Sequence, residues 1–260
     1  MKAVDFSWVA GATLEQASQK AKAGSKIIAG GQSLGPMLNL RIAQPDALVS
    51  IAGLALLRGA TENDTDVTIG ACVTHAQIAD GLVPDIGSQI LPRIAENIAY
   101  RAVRNRGTIG GSLCHADPAA DWVTTLLALG ASVVIAGADG TRLVALRDFF
   151  RGAFRTCLAP GEILQAVRIP KLNDGQKFGY YKACRKPGEF AHAMAAVLQM
   201  KKTTRVVIGA MGAIPLIFEG DEATLQSIAP AFTARAGGID DVTRHMQLIA
   251  VKRAFEKLSA

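Results

Sequence analysis

Residues 29–36 read Ala-Gly-Gly-Gln-Ser-Leu-Gly-Pro, and about eighty residues later residues 108–118 read Thr-Ile-Gly-Gly-Ser-Leu-Cys-His-Ala-Asp-Pro. Both stretches place small residues beside hydroxyl groups. A glycine has no Cβ and tolerates positive φ, so a glycine pair lets backbone N–H groups approach an anion closely. Two such stretches predict a ligand that carries more than one phosphate, or one long enough to touch both. A dinucleotide fits that description.

Composition and length indicate a globular protein. The chain has 260 residues, of which 50% are hydrophobic and 19% are charged, so it can bury a sizeable core as one large domain or two ordinary ones. The longest apolar runs, such as residues 124–138, contain glycine and are shorter than a membrane span. The N-terminal residues lack the apolar core of a secretory signal. The predicted compartment is therefore the cytoplasm.

The net charge of +6 indicates a basic surface rather than nucleic-acid binding. Basic residues are scattered, and only Arg101, Arg104 and Arg106 form a local cluster. Aromatic residues make up 5% of the chain, too few for a platform that stacks bases. Arg104 and Arg106 stand just before the second glycine-rich stretch, where they are either solvated or reach a phosphate or a partner subunit.

The cysteines are spread along the chain as Cys72, Cys114, Cys157 and Cys184, with no close pair. This spacing argues against a zinc or iron–sulfur site held by this chain alone. We expect free thiols in a cytoplasmic protein, and any iron–sulfur chemistry would have to come from a partner.

The secondary-structure pattern predicts an α+β fold, with strands and helices mixed irregularly and no repeating βαβ unit. Helices are predicted at 13–23, 74–80, 85–99, 121–129, 221–228 and 240–258, with Thr13, Thr74 and Asp121 as N-caps. Strands are predicted at 26–29, 47–51, 66–70, 132–135, 142–145, 162–169, 177–184, 193–200 and 205–211. Neither glycine-rich stretch is a G-x-G-x-x-G or a Walker A sequence, which disfavours Rossmann and P-loop folds.

The polar, turn-rich residues 170–176 are the best linker candidate. They predict a larger ligand-binding domain over 1–170, followed by a small domain of strands and helices over 177–260. The last helix places apolar residues at regular intervals, which predicts one buried face formed by Val242, Met246, Ile249, Ala250 and Phe255.

Residues 29–41 and 104–121 resemble the two flavin loops of one family, the FAD-binding medium subunits of molybdenum hydroxylases, which include carbon monoxide dehydrogenase and xanthine dehydrogenase. Supporting matches lie at residues 70–74, 161–164 and 178–191, in the same order and spacing. The resemblance covers nearly the whole chain. It implies a two-lobed FAD-binding domain of the vanillyl-alcohol-oxidase (PCMH) type, with lobes of about 1–58 and 59–170. A small C-terminal domain of a short antiparallel sheet plus helices would follow.

The resemblance also implies a set of FAD-binding residues. Amides of the first loop would hold the pyrophosphate, helped by the hydroxyl of Ser33, and the second loop would form a cradle on the other side. Two carboxylates would accept hydrogen bonds from sugar or ribityl hydroxyls or from the adenine. Leu164 would pack on a ring, and Lys182 would lie near the polar edge of the flavin, where a cation favours the anionic reduced form. The full predicted set is Ala29, Gly30, Gly31, Gln32, Ser33, Leu34, Gly70, Ala71, Thr108, Gly110, Gly111, Ser112, His115, Asp117, Asp121, Leu164 and Lys182, with no catalytic residue and no metal ligand assigned.

Several of these residues have a simpler structural interpretation. Leu164 is a core residue in that alternative, and Lys182 is a solvated surface lysine. Asp121 serves only as a helix N-cap, or as both cap and ligand. The remaining alternatives are a plain turn at Gly30–Gly31 and a structural role for His115, which otherwise attracts attention as an acid or base.

The function implied by the resemblance is electron transfer within a heterotrimer. A large partner would carry molybdopterin and hydroxylate the substrate, and a small partner would carry two [2Fe–2S] clusters. FAD on this chain would pass electrons to NAD, a quinone, a cytochrome or oxygen, and the assembly would be a dimer of heterotrimers. The alternatives are a free-standing FAD oxidase or reductase, and a nucleotide-binding assembly or regulatory protein without redox chemistry. The identity of the hydroxylated substrate would depend on the large partner.

Overall fold

The computed structural model describes residues 2–21 and 23–259. The strands are β1 (Ser7–Ala10), β2 (Ser25–Ile28), β3 (Ala47–Ser50), β4 (Ala60–Glu62), β5 (Asp66–Gly70), β6 (Ser132–Gly137), β7 (Gly140–Ala145), β8 (Phe150–Gly152), β9 (Arg155–Thr156), β10 (Ile163–Pro170), β11 (Lys177–Ala183), β12 (Ala193–Gln199), β13 (Thr204–Gly209) and β14 (Leu216–Glu219). The α-helices are α1 (Leu14–Lys20), α2 (Leu34–Asn39), α3 (His75–Ala79), α4 (Ile90–Glu96), α5 (Arg101–Arg104), α6 (Ile109–His115), α7 (Asp121–Leu129), α8 (Leu146–Phe149), α9 (Ile228–Arg235) and α10 (Asp241–Glu256). Short 3₁₀ turns cover Ala55–Leu57, Gly220–Ala223 and Lys257–Ser259. Across the part of the chain described, every helix is too short or too polar to span a bilayer.

The first sheet is parallel, with strand order β1-β3-β2. The chain alternates strand and helix here, β1-α1-β2-α2-β3, so the prediction of no repeating βαβ unit is wrong for this region. Each strand has only four residues and α1 and α2 have seven and six, which is too short for a clear periodic signal. Leu48 and Val49 on the central strand are buried on opposite faces of the sheet. Leu48 packs in a cluster with Leu38 of α2, and Val49 packs in a cluster with Ala17 of α1.

The second sheet is antiparallel, with strand order β4-β5-β10-β6-β7. Its centre is β10, where Val167 lies opposite Ile69 on one side and Val133 on the other, and all three are fully buried. Five of the eight residues of β10 are buried, and only Gln165, Arg168 and Pro170 are half-buried, which agrees with its central place in the sheet. A small hairpin, β8–β9, extends this part of the structure.

Helix α7 lies between the second sheet and the C-terminal sheet, whose order is β11-β12-β13-β14. All nine residues of α7 are buried, because one side packs on the second sheet and the other meets Leu198 and Val207 of the C-terminal sheet. The strands predicted at 177–184, 193–200 and 205–211 are present within one or two residues, and β14 was not predicted.

The buried face of α10 matches the prediction only in part: Ala250 is buried, and Met246 and Phe255 are half-buried against the same cluster. Val242 is 69% exposed and Ile249 is 43% exposed, whereas Gln247 and Ala254 are completely buried. The reason is close packing: a Cβ at Gly179 of β11 would overlap the carbonyl oxygen of Ala254. A helix that approaches a strand this closely places small residues against the sheet. Hydrophobic periodicity alone does not predict which face of the helix that is.

Other predicted helices are shorter or displaced. The helix at 13–23 spans Leu14–Lys20 with Thr13 as its N-cap, and Lys22 lies outside the described residues. Only Ile90–Glu96 of the helix at 85–99 is helical, because Gly87, Ser88 and Gln89 have positive φ. The prediction of a helix at 221–228 is wrong. A 3₁₀ turn covers Gly220–Ala223, and α9 begins at Ile228. Asp121 is the first residue of α7 rather than its N-cap, which is Ala120.

Candidate dinucleotide site

The first glycine-rich stretch forms the loop between β2 and α2. Within residues 2–21 and 23–259, no protein acceptor receives the backbone N–H groups of residues 30–34. Gly31 has φ +70, a value that glycine adopts without strain, and the side chain of Gln32 donates to the carbonyl oxygen of Gly30 at 3.0 Å. The hydroxyl of Ser33 is exposed and makes no capping hydrogen bond. The loop therefore presents five consecutive amides and one hydroxyl to a ligand.

The second glycine-rich stretch is helical, and its amides are already bonded. Thr108 is the N-cap of α6, and its Oγ1 accepts from the N–H of Gly111 at 3.0 Å. The N–H of Gly110 donates to the carbonyl oxygen of Ala71 at 3.0 Å, and that of Ser112 donates to Thr108 at 3.0 Å. This differs from the predicted amide cradle. What the segment offers a ligand is the exposed surface of Gly111 and the half-buried side chain of Ser112.

The two stretches meet directly at Gly30. A Cβ on Gly30 would overlap the carbonyl oxygen of Arg106, lie 2.6 Å from its carbonyl carbon and lie 3.0 Å from the Cα of Gly107. Only glycine permits two backbone segments to pass this closely. The structure therefore brings the first loop onto the residues that lead into α6.

Of the predicted residues Gly70 and Ala71, Ala71 contacts the second stretch at Gly110, and Gly70 packs against Leu57. A Cβ at Gly70 would lie 2.6 Å from the carbonyl carbon of Leu57, and a Cβ at Gly110 would lie 2.5 Å from the Cβ of Ala71. The N–H of Ala71 donates to Gln165 on the neighbouring strand at 2.9 Å. Both residues act through close packing, and Ala71 is 3% exposed.

His115 and Asp117 follow the end of α6. The His115 ring lies 5.2 Å from the ring of Phe154, and burial lowers the pKa of His115 while Asp117 opposes that shift. One carboxylate oxygen of Asp117 accepts from the N–H of Ala119 at 2.9 Å, which forms a turn. The second oxygen of Asp117 has no protein partner within the described ranges, so it can accept a hydrogen bond from a ligand.

Asp121 and Lys182, which the resemblance predicts as separate FAD contacts, form a buried ion pair with each other. The Lys182 ammonium lies 3.1 Å from both carboxylate oxygens of Asp121, with side-chain exposures of 7% and 5%. Tyr180 donates to the same carboxylate at 2.8 Å, and Lys182 also donates to the carbonyl oxygen of Asn97 at 3.2 Å. Burial raises the pKa of Asp121, and the charge of Lys182 opposes that rise. The pair joins α7 to β11.

Leu164 lies in the core. Its side chain is 2% exposed and belongs to the largest hydrophobic cluster, next to an irregularity in the pairing of β10 with β6. This position agrees with the structural interpretation of Leu164 rather than with contact to a ligand ring.

His75 is a buried titratable residue that sequence analysis did not identify. Its Nδ1 accepts from the indole N–H of Trp122 at 3.1 Å, and burial together with the charge of Arg104 lowers its pKa to about 4. The pattern Thr74-x-x-Gln77 is a capping box that marks the start of α3, but nothing local reveals a partner 47 residues away.

The open amides of residues 30–34, the exposed Ser33 hydroxyl and the uncovered Gly111 suit a ligand with phosphate groups. The first loop follows β2 of the parallel sheet, and α6 packs beside β10 of the antiparallel sheet. These features define a dinucleotide-binding protein of mixed helix-and-sheet architecture. The family described as the FAD binding domain in molybdopterin dehydrogenase matches residues 4–172, and the chain belongs to that family. FAD is therefore the dinucleotide that this chain binds, and the chain belongs to the oxidoreductases.

Known relatives agree with this assignment. The carbon monoxide dehydrogenase medium chain of Afipia carboxidovorans is 39% identical over 189 residues, which is 71% of this chain and 64% of the relative. Subunit alpha of the 6-hydroxypseudooxynicotine dehydrogenase complex of Paenarthrobacter nicotinovorans is 34% identical over 258 residues, which is 93% of this chain and 87% of that protein. A carbon monoxide dehydrogenase structure from Hydrogenophaga pseudoflava superposes with a TM-score of 0.91 at 29% identity, covering 100% of this chain and 99% of the other. The predicted resemblance to FAD-binding medium subunits is confirmed.

Proposed function

We propose that this chain is the electron-transfer subunit of a heterotrimeric molybdenum hydroxylase. The observation that carries the proposal is the run of five free amides at residues 30–34, which lies inside the family match and fits the pyrophosphate of FAD. We assign residues 1–170 to a two-lobed FAD-binding domain of PCMH type, with lobes of about 1–58 and 59–170. Residues 177–260 form the C-terminal domain of this proposal.

The chain's own residues bind and orient the cofactor. The amides of residues 30–34 and the hydroxyl of Ser33 hold the pyrophosphate, and Gly111 and Ser112 lie against the other side of the dinucleotide. The free carboxylate oxygen of Asp117 accepts a hydrogen bond from a sugar or ribityl hydroxyl. When bound, FAD supplies a redox centre that accepts electrons singly and releases them in pairs.

The partner assignment follows the names of the relatives. Those proteins are called medium chains, or one subunit of a dehydrogenase complex. In this proposal a large partner holds molybdopterin, a small partner holds [2Fe–2S] clusters, and two heterotrimers associate. Substrate specificity would reside in the large partner, and this chain would hold the FAD that supplies electrons to an external acceptor.

An anaerobic reduction experiment tests the proposal against a free-standing flavoenzyme. The chain is purified with its partners and also alone, and each sample receives carbon monoxide, an N-heterocycle or an aldehyde. We expect the visible flavin absorbance to bleach with one of these substrates in the complex and with none of them in the isolated chain. Bleaching of the isolated chain would instead support a free-standing oxidase or reductase.

Ser33→Ala should weaken FAD binding by about 10- to 100-fold, because hydrogen bonds to charged groups contribute about 1.5–3 kcal/mol. Ser33→Thr is the matched control, since it keeps the hydroxyl on the same backbone. Titration of the apoprotein with FAD, followed by flavin fluorescence, measures both affinities. Equal affinity of Ser33→Ala and the wild type would show that the hydroxyl does not contact the cofactor.

A further inference from the structure

His75 links the core of the protein to the backbone that lies under the first loop. It is the first residue of α3 and is 5% exposed. Its backbone N–H donates to the carbonyl oxygen of Gly107 at 2.9 Å. The neighbouring residues Thr74 and Thr108 form an isolated antiparallel bridge, so the two backbones run side by side.

The orientation of the His75 ring is fixed from the core side. The indole N–H of Trp122 can only donate, so Nδ1 of His75 must be the acceptor and the ring proton lies on Nε2. Trp122 is fully buried on α7, so the surrounding core holds its indole in place. Displacement of the His75 ring would therefore break this hydrogen bond.

The opposite edge of the ring packs on Gly107. A Cβ at Gly107 would lie 2.9 Å from Cδ2 and 3.1 Å from Nε2 of His75. The preceding carbonyl, that of Arg106, lies against Gly30 at the start of the free amides. A continuous row of contacts therefore runs from Trp122 through His75 and residues 106–107 to Gly30.

We propose that His75 is a positioning residue for FAD: its ring, held by Trp122, presses residues 106–107 against Gly30 and so sets the direction of the amides of residues 30–34. His75 itself makes no contact with the cofactor in this proposal. The inference rests on the proposed role of those amides in binding the pyrophosphate. The lowered pKa of His75, which keeps the ring neutral near pH 7, is consistent with its accepting role.

Two substitutions test the two contacts of the His75 ring separately, the hydrogen bond with Trp122 and the packing against Gly107. In His75→Asn, the side-chain oxygen can take the place of Nδ1 and still accept from Trp122, but the edge against Gly107 is gone. In His75→Leu, bulk remains and the acceptor is lost. The chain has two tryptophans, and Trp8 is 60% exposed, so a Trp8→Phe background leaves Trp122 as the sole reporter of tryptophan fluorescence.

In that background, His75→Asn should leave the emission of Trp122 unchanged and weaken FAD binding by about tenfold, a loss typical for residues that support a binding group. His75→Leu should shift the emission of Trp122. Adding Gly107→Ala to His75→Asn should restore part of the affinity, because the new Cβ fills the space that the ring vacated. The same Gly107→Ala change in a chain that keeps His75 should weaken binding, so the double-mutant cycle is non-additive.

The affinities are measured by titrating the full apo chain with FAD, and the thermal midpoint is recorded for every variant. Wild-type affinity in His75→Asn, or additive effects of the two changes, would overturn the inference. If His75→Asn does not fold, Gly107→Ala in a chain that keeps His75 still tests the inference. Unchanged FAD affinity in that single variant would also overturn it. Failure of the proposed pyrophosphate site gives a different result, in which Ser33→Ala also binds FAD as the wild type does, and failure of the electron-transfer role appears as bleaching of the isolated chain by substrate.

Discussion

Replacing Gly30 with alanine should remove FAD from the protein and lower its free energy of unfolding. The new Cβ would overlap the carbonyl oxygen of Arg106 and lie 2.6 Å from its carbonyl carbon. These are backbone atoms, so no side-chain rotation relieves the contact, and one of the two segments must move. Overpacking of this kind costs about 1–3 kcal/mol, and displacement of the amides of residues 30–34 should weaken FAD binding by about 10- to 100-fold, as loss of supporting contacts does at metal sites.

Gly35→Ala is the matched control for Gly30→Ala. Gly35 lies in α2, five residues further along, and no atom lies within 4 Å of a Cβ placed there. Alanine is favoured over glycine in a helix by about 1 kcal/mol, so this variant should be as stable as the wild type or more stable, with full FAD content. Urea unfolding and visible flavin absorbance measure the two quantities. A Gly30→Ala protein with wild-type flavin content would show that the two backbones do not need to meet for binding.

The first loop could be predicted from the sequence because its chemistry is local. A glycine pair after a strand, followed by Gln32 and Ser33, predicts free amides beside a hydroxyl, and the structure has them. The second stretch has the same composition and a different structure. Its amides bond to Ala71 and to Thr108, and the contact with Ala71 is set by tertiary packing. Glycine has low helix propensity, so the sequence does not indicate that a helix begins there.

The secondary structure was predictable where strands alternate clearly and not where packing decides the outcome. Strands β10 and β12 carry largely apolar runs, which the sequence shows directly, whereas the shorter strands β4 and β14 are absent from the prediction. On α10, the fully buried Gln247 donates to the carbonyl oxygen of Gly209 at 2.9 Å and accepts from Met194. A polar residue in this position breaks the hydrophobic periodicity, so the predicted face included the exposed Val242 instead.

The family resemblance selected Asp121 and Lys182 as separate FAD contacts, and it gave no sign that they pair with each other. They are 61 residues apart in sequence, and their contact depends on α7 packing against β11. Such a contact between elements far apart in the chain follows from topology, which a single sequence does not show.

Replacing Lys182 with methionine should destabilise the protein by about 3–5 kcal/mol, because it leaves the Asp121 charge buried without a partner. Methionine keeps much of the length and volume of the lysine stem, so the change tests the charge. Urea unfolding at neutral pH measures the loss. Adding Asp121→Asn to Lys182→Met should recover most of it, since asparagine is neutral and can still accept the hydrogen bond from Tyr180.

The matched control is Arg101→Met. The Arg101–Asp80 pair is shorter, at 2.6 Å, but its side chains are 55% and 39% exposed. Solvent screens such pairs, so this variant should change the free energy of unfolding little. A smaller effect for Lys182→Met than for Arg101→Met would show that burial does not determine the strength of these contacts.

The pH dependence of the Lys182→Met deficit provides an independent test of the same ion pair. Burial already raises the pKa of folded Asp121, and loss of the lysine charge should raise it further. A raised folded pKa gives stability below the unfolded pKa, which is lost as the pH rises through the folded value. The destabilisation of Lys182→Met relative to the wild type should therefore be smallest in acid, where Asp121 is protonated, and should grow as the pH rises. The double variant has no carboxylate at position 121, so its difference from Lys182→Met should follow the same pH profile. A deficit independent of pH would mean that methionine disturbs packing rather than leaving a buried charge.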